Sequence, residues 1–257
     1  MMKFRAPRVR AVPAVTRAIA VLRLLSRSRS PLALKAIAET LDLVPSTALH
    51  ILRALAAEQL VRVDPVTKQY SLGVGMLPLA RAVLEQSDFP NLVRPQLDDL
   101  SKRYGVTAIG VALPDLDHMV VVALARAQTP VRLHVDVGSR FPALISATGR
   151  CLAAFTRHPW SEVEKRFHRL RWHNAPRYEA WRKEVDQTRR QGFSIDRGNY
   201  IAGVTIVAVP VLDGAGTITH TLAAVGLGNQ LDRATSLRLA HDMRRAAEQL
   251  TAHRAPL

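Results

Sequence analysis

The chain has 257 residues, enough for one large domain or two ordinary ones, and its 48% hydrophobic content is sufficient to build packed cores. A formal net charge of +15 favours a polyanionic partner, most commonly nucleic acid, and the alternative is a generally basic surface. No apolar run is long enough to span a bilayer, so we expect no membrane partner. The single cysteine, Cys151, excludes an internal disulfide and fits a protein of the reducing cytoplasm.

The first thirty residues predict a basic arm followed by a helix. Residues 1–12 are basic and lack periodicity, so we interpret them as a disordered arm, either a solvated tail or a contact to a DNA backbone or minor groove. Apolar residues then recur at helical spacing over 15–25, and the Ser-Arg repeat at 26–30 indicates a polar loop.

Residues 34–60 predict two short helices separated by a sharp break at 42–44. Pro45 suits the first turn of the second helix, where its missing N–H would have no helical partner. Apolar residues form one face of this second helix, and Ser46, Thr47, His50 and Arg53 share the other. Hydroxyls, an imidazole and a guanidinium without any acid are suited to phosphates and base edges. The segment therefore predicts a DNA-reading helix-turn-helix.

A wing and a linker helix are predicted next. Two short strands, 61–63 and 69–72, flank a turn, and Arg62 and Lys68 on this hairpin are placed to contact phosphates. Residues 74–86 predict an amphipathic helix, a candidate linker between domains and a candidate dimer surface. A turn at 87–90 marks the domain boundary, where Asp88 is able to cap the following helix.

The remainder alternates between helical and strand patterns. We predict four helices: 92–104, about Gly149 to 155, 157–190, and from an Asp232 cap to about 252. We predict six strands: 107–113, 119–127, 131–137, 193–196, 204–212 and 217–227. A glycine-containing loop runs from 138 to the helix at Gly149. Helices placed around an antiparallel sheet indicate an α+β domain. Residues 157–190 mix basic residues with aromatic ones, which fits either a nucleic-acid surface or a solvated helix face over a core.

No pattern for catalysis or metal binding is present. The nine histidines form no HExxH or Cys-paired motif, and no GxSxG elbow, phosphate loop or dinucleotide fingerprint occurs. Asp196 and Asp213 are lone acids at predicted turns, which favours caps over catalysts. Cys151 follows Arg150, which lowers a thiol pKa, but its apolar neighbours favour a buried, inert residue. We predict no enzyme, no catalytic residue, no metal and no cofactor.

A set of short motifs in one continuous register resembles the IclR family of bacterial transcriptional regulators. The motifs are Leu34-Lys35-Ala36-Ile37-Ala38, Ser46-Thr47, Tyr70-Ser71-Leu72-Gly73, Gly138-Ser139-Arg140-Phe141-Pro142, Ala147-Thr148-Gly149-Arg150 with Leu152-Ala153, Gln191-Gly192-Phe193, and Gly203 followed by Ala208-Val209-Pro210-Val211. The resemblance implies a winged helix-turn-helix at 13–73, a linker helix at 74–88 and a GAF-like effector-binding domain at 89–254. It also implies a homodimer or homotetramer that binds double-stranded operator DNA.

The expected reading helix departs from the family pattern. Leu49 and His50 stand where the family usually has a His-Arg pair, and Pro45 stands where a lysine often precedes the serine. The operator therefore cannot be transferred from relatives. The expected DNA contacts are Lys35, Ser46, Thr47, Leu49, His50, Arg53, Arg62 and Lys68.

The resemblance further implies an effector cavity in the C-terminal domain. Backbone amides of a loop at Ser146, Ala147 and Thr148, ahead of Gly149, would hold a carboxylate at the start of a helix. The matching cavity positions are Leu133, Phe141, Asp196, Ile206, Ala223 and Val225. Because the last three are apolar, we expect an apolar ligand, such as an aromatic acid, with one carboxylate; the alternative is that these side chains are simply core.

These features predict a cytoplasmic DNA-binding transcriptional regulator, a repressor or an activator, whose operator binding is modulated by a small organic or aromatic acid. Two alternatives stay open at this point. One is an enzyme of GAF-like fold with an accessory DNA-binding domain. The other is a basic protein that binds nucleic acid without sequence preference.

Overall fold

The computed structural model describes residues 12–85, 88–127 and 135–252, and the chain divides after Ser87 into two compact units. Residues 1–11 of the predicted arm and residues 253–254 lie outside the described residues. The described elements of the first unit are α1 (Pro13–Arg27), β1 (Leu32–Ala33), α2 (Leu34–Thr40), α3 (Pro45–Ala57), β2 (Val61–Val63), β3 (Gln69–Leu72) and α4 (Met76–Glu85).

A tight turn sets α2 against α3. Asp42 adopts a left-handed φ of 50°, and the Leu43 amide donates to the Ala38 carbonyl at 2.9 Å, which closes the end of α2. Pro45 is the first residue of α3, as predicted. Side chains of α1, α2, α3 and β2 form one small core built on Val21, Ile37, Leu52 and Val61. This core holds the apolar face of α3 inward and leaves its polar face outward.

The wing is part of a three-stranded antiparallel sheet in the order β1-β3-β2. The predicted hairpin is present, with Val63 opposite Tyr70. The third strand, β1, was not predicted because it has two residues and no periodicity; it pairs Leu32 with Tyr70. The following helix α4 begins at Met76, two residues later than predicted, with Pro78 in its first turn, where the ring is tolerated.

The second unit is built on one six-stranded sheet with helices on both faces. Its described elements are α5 (Phe89–Tyr104), β4 (Thr107–Ala112), β5 (His118–Ala125), β6 (Arg140–Pro142), α6 (Ser146–Phe155), α7 (Trp160–Phe167), α8 (Tyr178–Gln191), β7 (Ser194–Arg197), β8 (Val204–Leu212), β9 (Ile218–Leu227) and α9 (Arg233–Ala252). The strand order is β6-β5-β4-β9-β8-β7, and every neighbouring pair is antiparallel.

Alternating side chains of the central strands supply two separate cores. In β8, Val207 and Val209 pack towards α5 and α9, whereas Ile206 and Ala208 pack towards α6 and α8. The period-2 alternation of a strand explains this division. The fold is therefore α+β, as predicted. No helix in the described part of the chain has the length and apolar character needed to cross a bilayer.

The predicted long helix over 157–190 is wrong. The structure has two helices there, α7 and α8, separated by a non-helical segment at 168–177. Pro176 explains the break, because proline disfavours helical backbone in the residue before it. The aromatic residues turn inward: Phe167 and Trp181 are buried, with ring centroids 4.8 Å apart. Because these aromatic side chains are buried, residues 157–190 fit a solvated helix face over a core better than a nucleic-acid surface.

Three smaller predictions also need correction. The helix expected from about Gly149 begins at Ser146, so Ser146, Ala147 and Thr148 form its first turn and not a loop ahead of it. Residues 135–137 of the predicted 131–137 strand are not in a strand, and residues 131–134 lie outside the described residues. Asp88 makes no capping hydrogen bond through its side chain. Asp232 does, because its Oδ1 accepts the Thr235 amide at 2.7 Å.

Candidate functional site

The outward face of α3 carries the side chains expected to read DNA. Ser46, His50 and Arg53 are exposed, while Thr47 and Leu49 are half-buried beside them. Helical spacing brings these five residues onto neighbouring turns of one surface. The first turn of α3 contains no acid, so its partial positive charge is uncompensated. His50 and Arg53 make no hydrogen bond or ion pair with the residues that the structure describes, which leaves both side chains available to a polyanion.

A hydrogen-bonded turn shapes the tip of the wing. Asp64 Oδ1 accepts the backbone amides of Thr67 at 2.8 Å and Val66 at 2.9 Å, and these bonds lower the pKa of Asp64. The Lys68 amide donates to the Asp64 carbonyl at 3.0 Å while Lys68 adopts a left-handed φ of 55°. Arg62 and Lys68 are both exposed on this hairpin. The turn therefore presents the two cations from a fixed backbone.

Lys35 lies on α2 and is the remaining predicted DNA contact. Its side chain is 85% exposed, with Nζ 3.9 Å from the exposed Glu39 carboxylate. An exposed pair at this distance contributes little to stability, so Lys35 remains available to a phosphate.

A partly open, apolar cavity of about 200 Å³ lies in the second unit between the sheet and the start of α6. Cavities of about 150 Å³ with apolar walls bind benzene, so this volume suits one substituted aromatic ring. Its apolar lining residues are Ile109, Val111, Met119, Val135, Phe141, Ile201, Ile206, Ala223 and Val225. Its polar lining residues are Ser146, Thr148 and Tyr200.

The first turn of α6 forms the polar end of this cavity. Ser146 and Thr148 are both about 2% exposed, and Ser146 adopts a left-handed φ of 58°, a strained conformation for a residue other than glycine. The N-terminal amides of a helix lack helical acceptors and carry partial positive charge. This end of the cavity is therefore suited to an anion.

Tyr200 supplies the third polar group. Burial raises the pKa of Tyr200, so its phenol stays protonated at neutral pH. Its hydroxyl has no hydrogen-bond partner within the described residues. A phenol in this state is able to donate one hydrogen bond to a ligand.

The structure brings together six of the cavity residues expected from the resemblance: Phe141, Ser146, Thr148, Ile206, Ala223 and Val225. Ala147 and Gly149 are buried in α6 without lining the cavity, and Asp196 is buried in a hydrogen-bond network outside it. Leu133 lies outside the described residues.

Six lining residues were missed by the sequence analysis: Ile109, Val111, Met119, Val135, Tyr200 and Ile201. Ile109 and Val111 alternate along β4, so the strand pattern together with the sheet order would have placed them on the cavity face. Tyr200 and Ile201 lie in a loop between β7 and β8, where no periodicity signals their position.

Neither the thiol of Cys151 nor the acidic side chains of the described residues indicate catalysis or metal binding. Cys151 is fully buried, its Sγ lies 3.4 Å from the Ala208 carbonyl oxygen, and burial raises the pKa of the thiol well above its usual range. Asp213 Oδ1 accepts the amides of Ala215 and Thr217, which makes it a turn cap. Within the described ranges, no three His, Cys, Asp or Glu residues cluster in a way that would hold a metal ion.

Comparisons with known proteins identify both units. Residues 14–65 match the IclR helix-turn-helix domain, and residues 81–252 match the bacterial transcriptional regulator IclR C-terminal domain. The glycerol operon regulatory protein of Streptomyces griseus is 30% identical over 225 residues, which is 87% of either chain.

Solved structures agree with this match. An IclR transcriptional regulator from Alicyclobacillus acidocaldarius is 26% identical, with a TM-score of 0.82 over 96% of this chain and 100% of that one. An IclR homolog from Microbacterium hydrocarbonoxydans, solved in complex with 4-hydroxybenzoate, shares the fold at 20% identity, with a TM-score of 0.76 over 93% of this chain and 98% of that one. The chain belongs to the IclR family of bacterial transcriptional regulators.

Proposed function

We propose that the protein binds an operator in the cytoplasm through α3 and that a small apolar carboxylate modulates this binding. We assign residues 13–73 to the DNA-binding domain, 74–88 to the linker and 89–254 to the effector domain; the described helix of the linker is α4, Met76–Glu85. The observation that carries the DNA-binding proposal is the acid-free outward face of α3, with Ser46, His50 and Arg53 exposed. Such a helix reads base edges from the major groove.

We assign separate roles to the helix and the wing. Ser46, Thr47, Leu49, His50 and Arg53 contact bases and the adjoining backbone within the major groove. The exposed cations Lys35, Arg62 and Lys68 hold phosphates, which fixes the register of α3 without reading sequence.

A homodimer is the minimal assembly that we propose. The first unit exposes apolar side chains on two helices: Val15 and Ile19 of α1 are 59% and 41% exposed, and Leu77 and Val83 of α4 are 68% and 67% exposed. Apolar surface of this kind is typical of an interface. A twofold dimer would read a pseudo-palindromic operator, with half-sites separated by about one helical turn or a multiple of it.

The effector class follows from the cavity. Its walls are apolar, its volume suits one aromatic ring, and its polar end combines the α6 amides with the hydroxyls of Ser146 and Thr148. An aromatic monocarboxylate satisfies all three features. The ligand acts by binding one arrangement of the dimer more tightly than another, which shifts the population towards it.

Binding of fluorescent DNA tests the first part of the proposal. The affinity for a fragment from upstream of the protein's own gene is compared with that for random DNA at several salt concentrations. We expect at least a thousandfold preference for the specific site, and a slope of about −0.9 in log K against log salt for each phosphate contacted. Equal affinities would instead support the alternative of a basic protein without sequence preference.

Isothermal titration calorimetry tests the effector class. The probes are 4-hydroxybenzoate and benzoate, with glyoxylate as a small hydrophilic acid. We expect heat of binding with the aromatic acids and little with glyoxylate, because only the aromatic ring buries apolar area in the cavity. Tight binding of glyoxylate alone would contradict the proposed ligand class. Conversion of any bound probe would favour the alternative of an enzyme.

A further inference from the structure

A buried ion pair lies beside the cavity without lining it. Arg150 of α6 and Asp196 of β7 are each only 1% exposed, with Arg150 Nη1 3.4 Å from Asp196 Oδ2. Arg150 also donates through Nε to Glu184 at 2.5 Å and through Nη2 to the Asn199 side chain at 3.3 Å. Burying two charges is costly and is weak evidence for a contribution to stability. The role of this pair is therefore better inferred from the groups that it holds in place than from its own contribution to stability.

The second oxygen of Asp196 holds the loop that follows β7. Asp196 Oδ1 accepts the backbone amide of Asn199 at 2.9 Å and, more weakly, that of Tyr200 at 3.4 Å. We define residues 198–203 as the cavity loop, because its residues Tyr200 and Ile201 line the cavity. One carboxylate thus connects Arg150 to the backbone of the cavity loop.

The cavity loop has glycine at both ends. Gly198 and Gly203 adopt left-handed φ values of 79° and 71°, which other residues tolerate poorly. Ile201 is 40% exposed, so hydrophobic burial alone does not fix this segment. The bonds from Asp196 to the amides of Asn199 and Tyr200 restrain the first half of the loop. Two hydrogen bonds between Asn199 and Asn174, of 2.9 and 3.0 Å, and one from the Gly228 amide to the Gly203 carbonyl at 2.8 Å also hold it.

We propose that Arg150 and Asp196 form a buried clamp that holds the cavity loop over the cavity, so that Asp196 is a positioning residue and not a ligand contact. This inference rests on the proposed function of the cavity as the effector site. It also assigns the ligand carboxylate to the start of α6, because the Arg150 guanidinium is already occupied by Glu184, Asp196 and Asn199.

The clamp would set ligand affinity through the population of the closed loop. If only a fraction of molecules has the loop in place, the apparent affinity falls by that fraction. A variant whose loop is closed one-tenth of the time would bind about tenfold more weakly with an unchanged set of cavity contacts. Affinity is then controlled by charges that the ligand does not touch.

Hydrogen exchange of the ligand-free full chain tests the clamp without any ligand. The variants are Asp196→Ala, which removes both carboxylate oxygens, and Asp196→Asn, which keeps an acceptor for the loop amides but loses the charge. Glu184→Gln is the matched control, because it neutralises the other partner of Arg150 without a bond to the loop. We expect faster exchange confined to residues 198–203 and neighbouring amides in Asp196→Ala, partial rescue in Asp196→Asn, and no change in Glu184→Gln.

Unchanged exchange at 198–203 in both Asp196 variants would overturn the proposal. Uniformly faster exchange across the second unit in both would overturn it too, because that result indicates a general loss of stability. If Asp196→Ala does not fold, comparing amide exchange at 198–203 in Asp196→Asn and Glu184→Gln still tests the clamp.

A double-mutant cycle with 4-hydroxybenzoate tests the consequence for binding. We expect Asp196→Asn to weaken binding about tenfold in the wild-type background, and to have little further effect once Tyr200 and Ile201 are both replaced by alanine. A loss that persists in that background would show direct contact and overturn the positioning role, as would an unchanged affinity in the single variant. Absence of binding by the wild-type protein would contradict the proposed effector class, while the exchange experiment would still decide the clamp.

Discussion

Gly149 passes so close to Leu144 that a β-carbon on Gly149 would lie 2.0 Å from the Leu144 carbonyl oxygen. The Gly149 amide donates to Ile145 at 2.8 Å, which begins the helical hydrogen bonding of α6. Glycine is therefore required where the chain turns from β6 into α6. The same turn fixes Ser146 and Thr148 at the polar end of the cavity.

Gly149→Ala should destabilise the second unit by about 3 kcal/mol, because the added methyl meets backbone that cannot move aside. At roughly 2–4 °C per kcal/mol for a domain of this size, the thermal midpoint should fall by about 6–12 °C. Gly214→Ala is the matched control, since nothing lies within 4 Å of a β-carbon there. Equal midpoints for the two variants in thermal denaturation would refute the close approach.

Thr148→Val should reduce affinity for 4-hydroxybenzoate by about tenfold while leaving phenol binding nearly unchanged. The substitution keeps the shape of the side chain but removes a hydroxyl at the end of the cavity, where a hydrogen bond to a charged group is worth about 1.5–3 kcal/mol. Calorimetry with the two ligands separates recognition of the carboxylate from recognition of the ring. Parallel losses for both ligands would place the carboxylate elsewhere.

Thr221→Val is the corresponding control and carries its own prediction. Thr221 lies in β9 and is fully buried, and its Oγ1 has no hydrogen-bond partner among the described residues. Replacing an unsatisfied buried hydroxyl with a methyl group should stabilise the protein by about 1 kcal/mol. Urea denaturation measures the change, and ligand binding should stay the same because Thr221 is not among the described residues that line the cavity. A destabilisation of about 1 kcal/mol would contradict this prediction, because it would mean that the Thr221 hydroxyl makes a stabilising hydrogen bond.

His50→Ala should relax sequence preference without abolishing binding. His50 is exposed on the outward polar face of α3, and the loss of one good base contact costs about 1–3 kcal/mol of discrimination. Affinities for the operator and for operators changed at single base pairs measure the effect. If the variant loses affinity equally for all sequences, His50 contacts phosphate and not a base.

Lys68→Ala should weaken binding to all sequences alike. Lys68 is exposed on the wing, which would make it a phosphate contact. Removing one such contact should reduce the magnitude of the slope of log K against log salt by about 0.9. A change in sequence preference with an unchanged salt slope would contradict the assignment of the wing to the DNA backbone.

The hairpin that carries Lys68 should keep its shape down to acid pH. Bonds from the amides of Thr67 and Val66 lower the pKa of Asp64 from its usual value. A carboxyl with a lowered folded-state pKa contributes stability that is fully present above its unfolded value and is lost as pH falls through the folded one. Asp64 stays ionised between pH 5 and 8, so its titration should not alter the exchange of the Thr67 amide in that range. Asp64→Ala should speed that exchange throughout the range; an unaffected amide would contradict the turn.

The helices and strands with strong periodicity could be predicted, and so could the outward position of the polar face of α3. Residues placed by long-range contacts could not. Tyr200 and Ile201 occupy a loop whose backbone bonds to Asp196, and Asp196 pairs with Arg150, which lies fifty positions before Tyr200 in the chain. Asp196 itself was predicted as a cavity residue from the family pattern, but its bonds to Arg150 and the loop place it outside the lining.

The start of α6 was placed three residues late for a related reason. Its first residue, Ser146, adopts a left-handed φ that sequence patterns do not predict for serine. The close approach of Gly149 to Leu144, which allows this turn, is visible only in three dimensions.

DNase footprinting on the DNA upstream of the protein's own gene, with and without 4-hydroxybenzoate, tests the central claim most directly. The account predicts a protected, pseudo-palindromic site that changes in extent or affinity when the ligand is added. It also predicts that the ligand effect, and not the protection itself, is weakened in Thr148→Val. Protection spread evenly along the fragment and insensitive to the ligand would contradict the account.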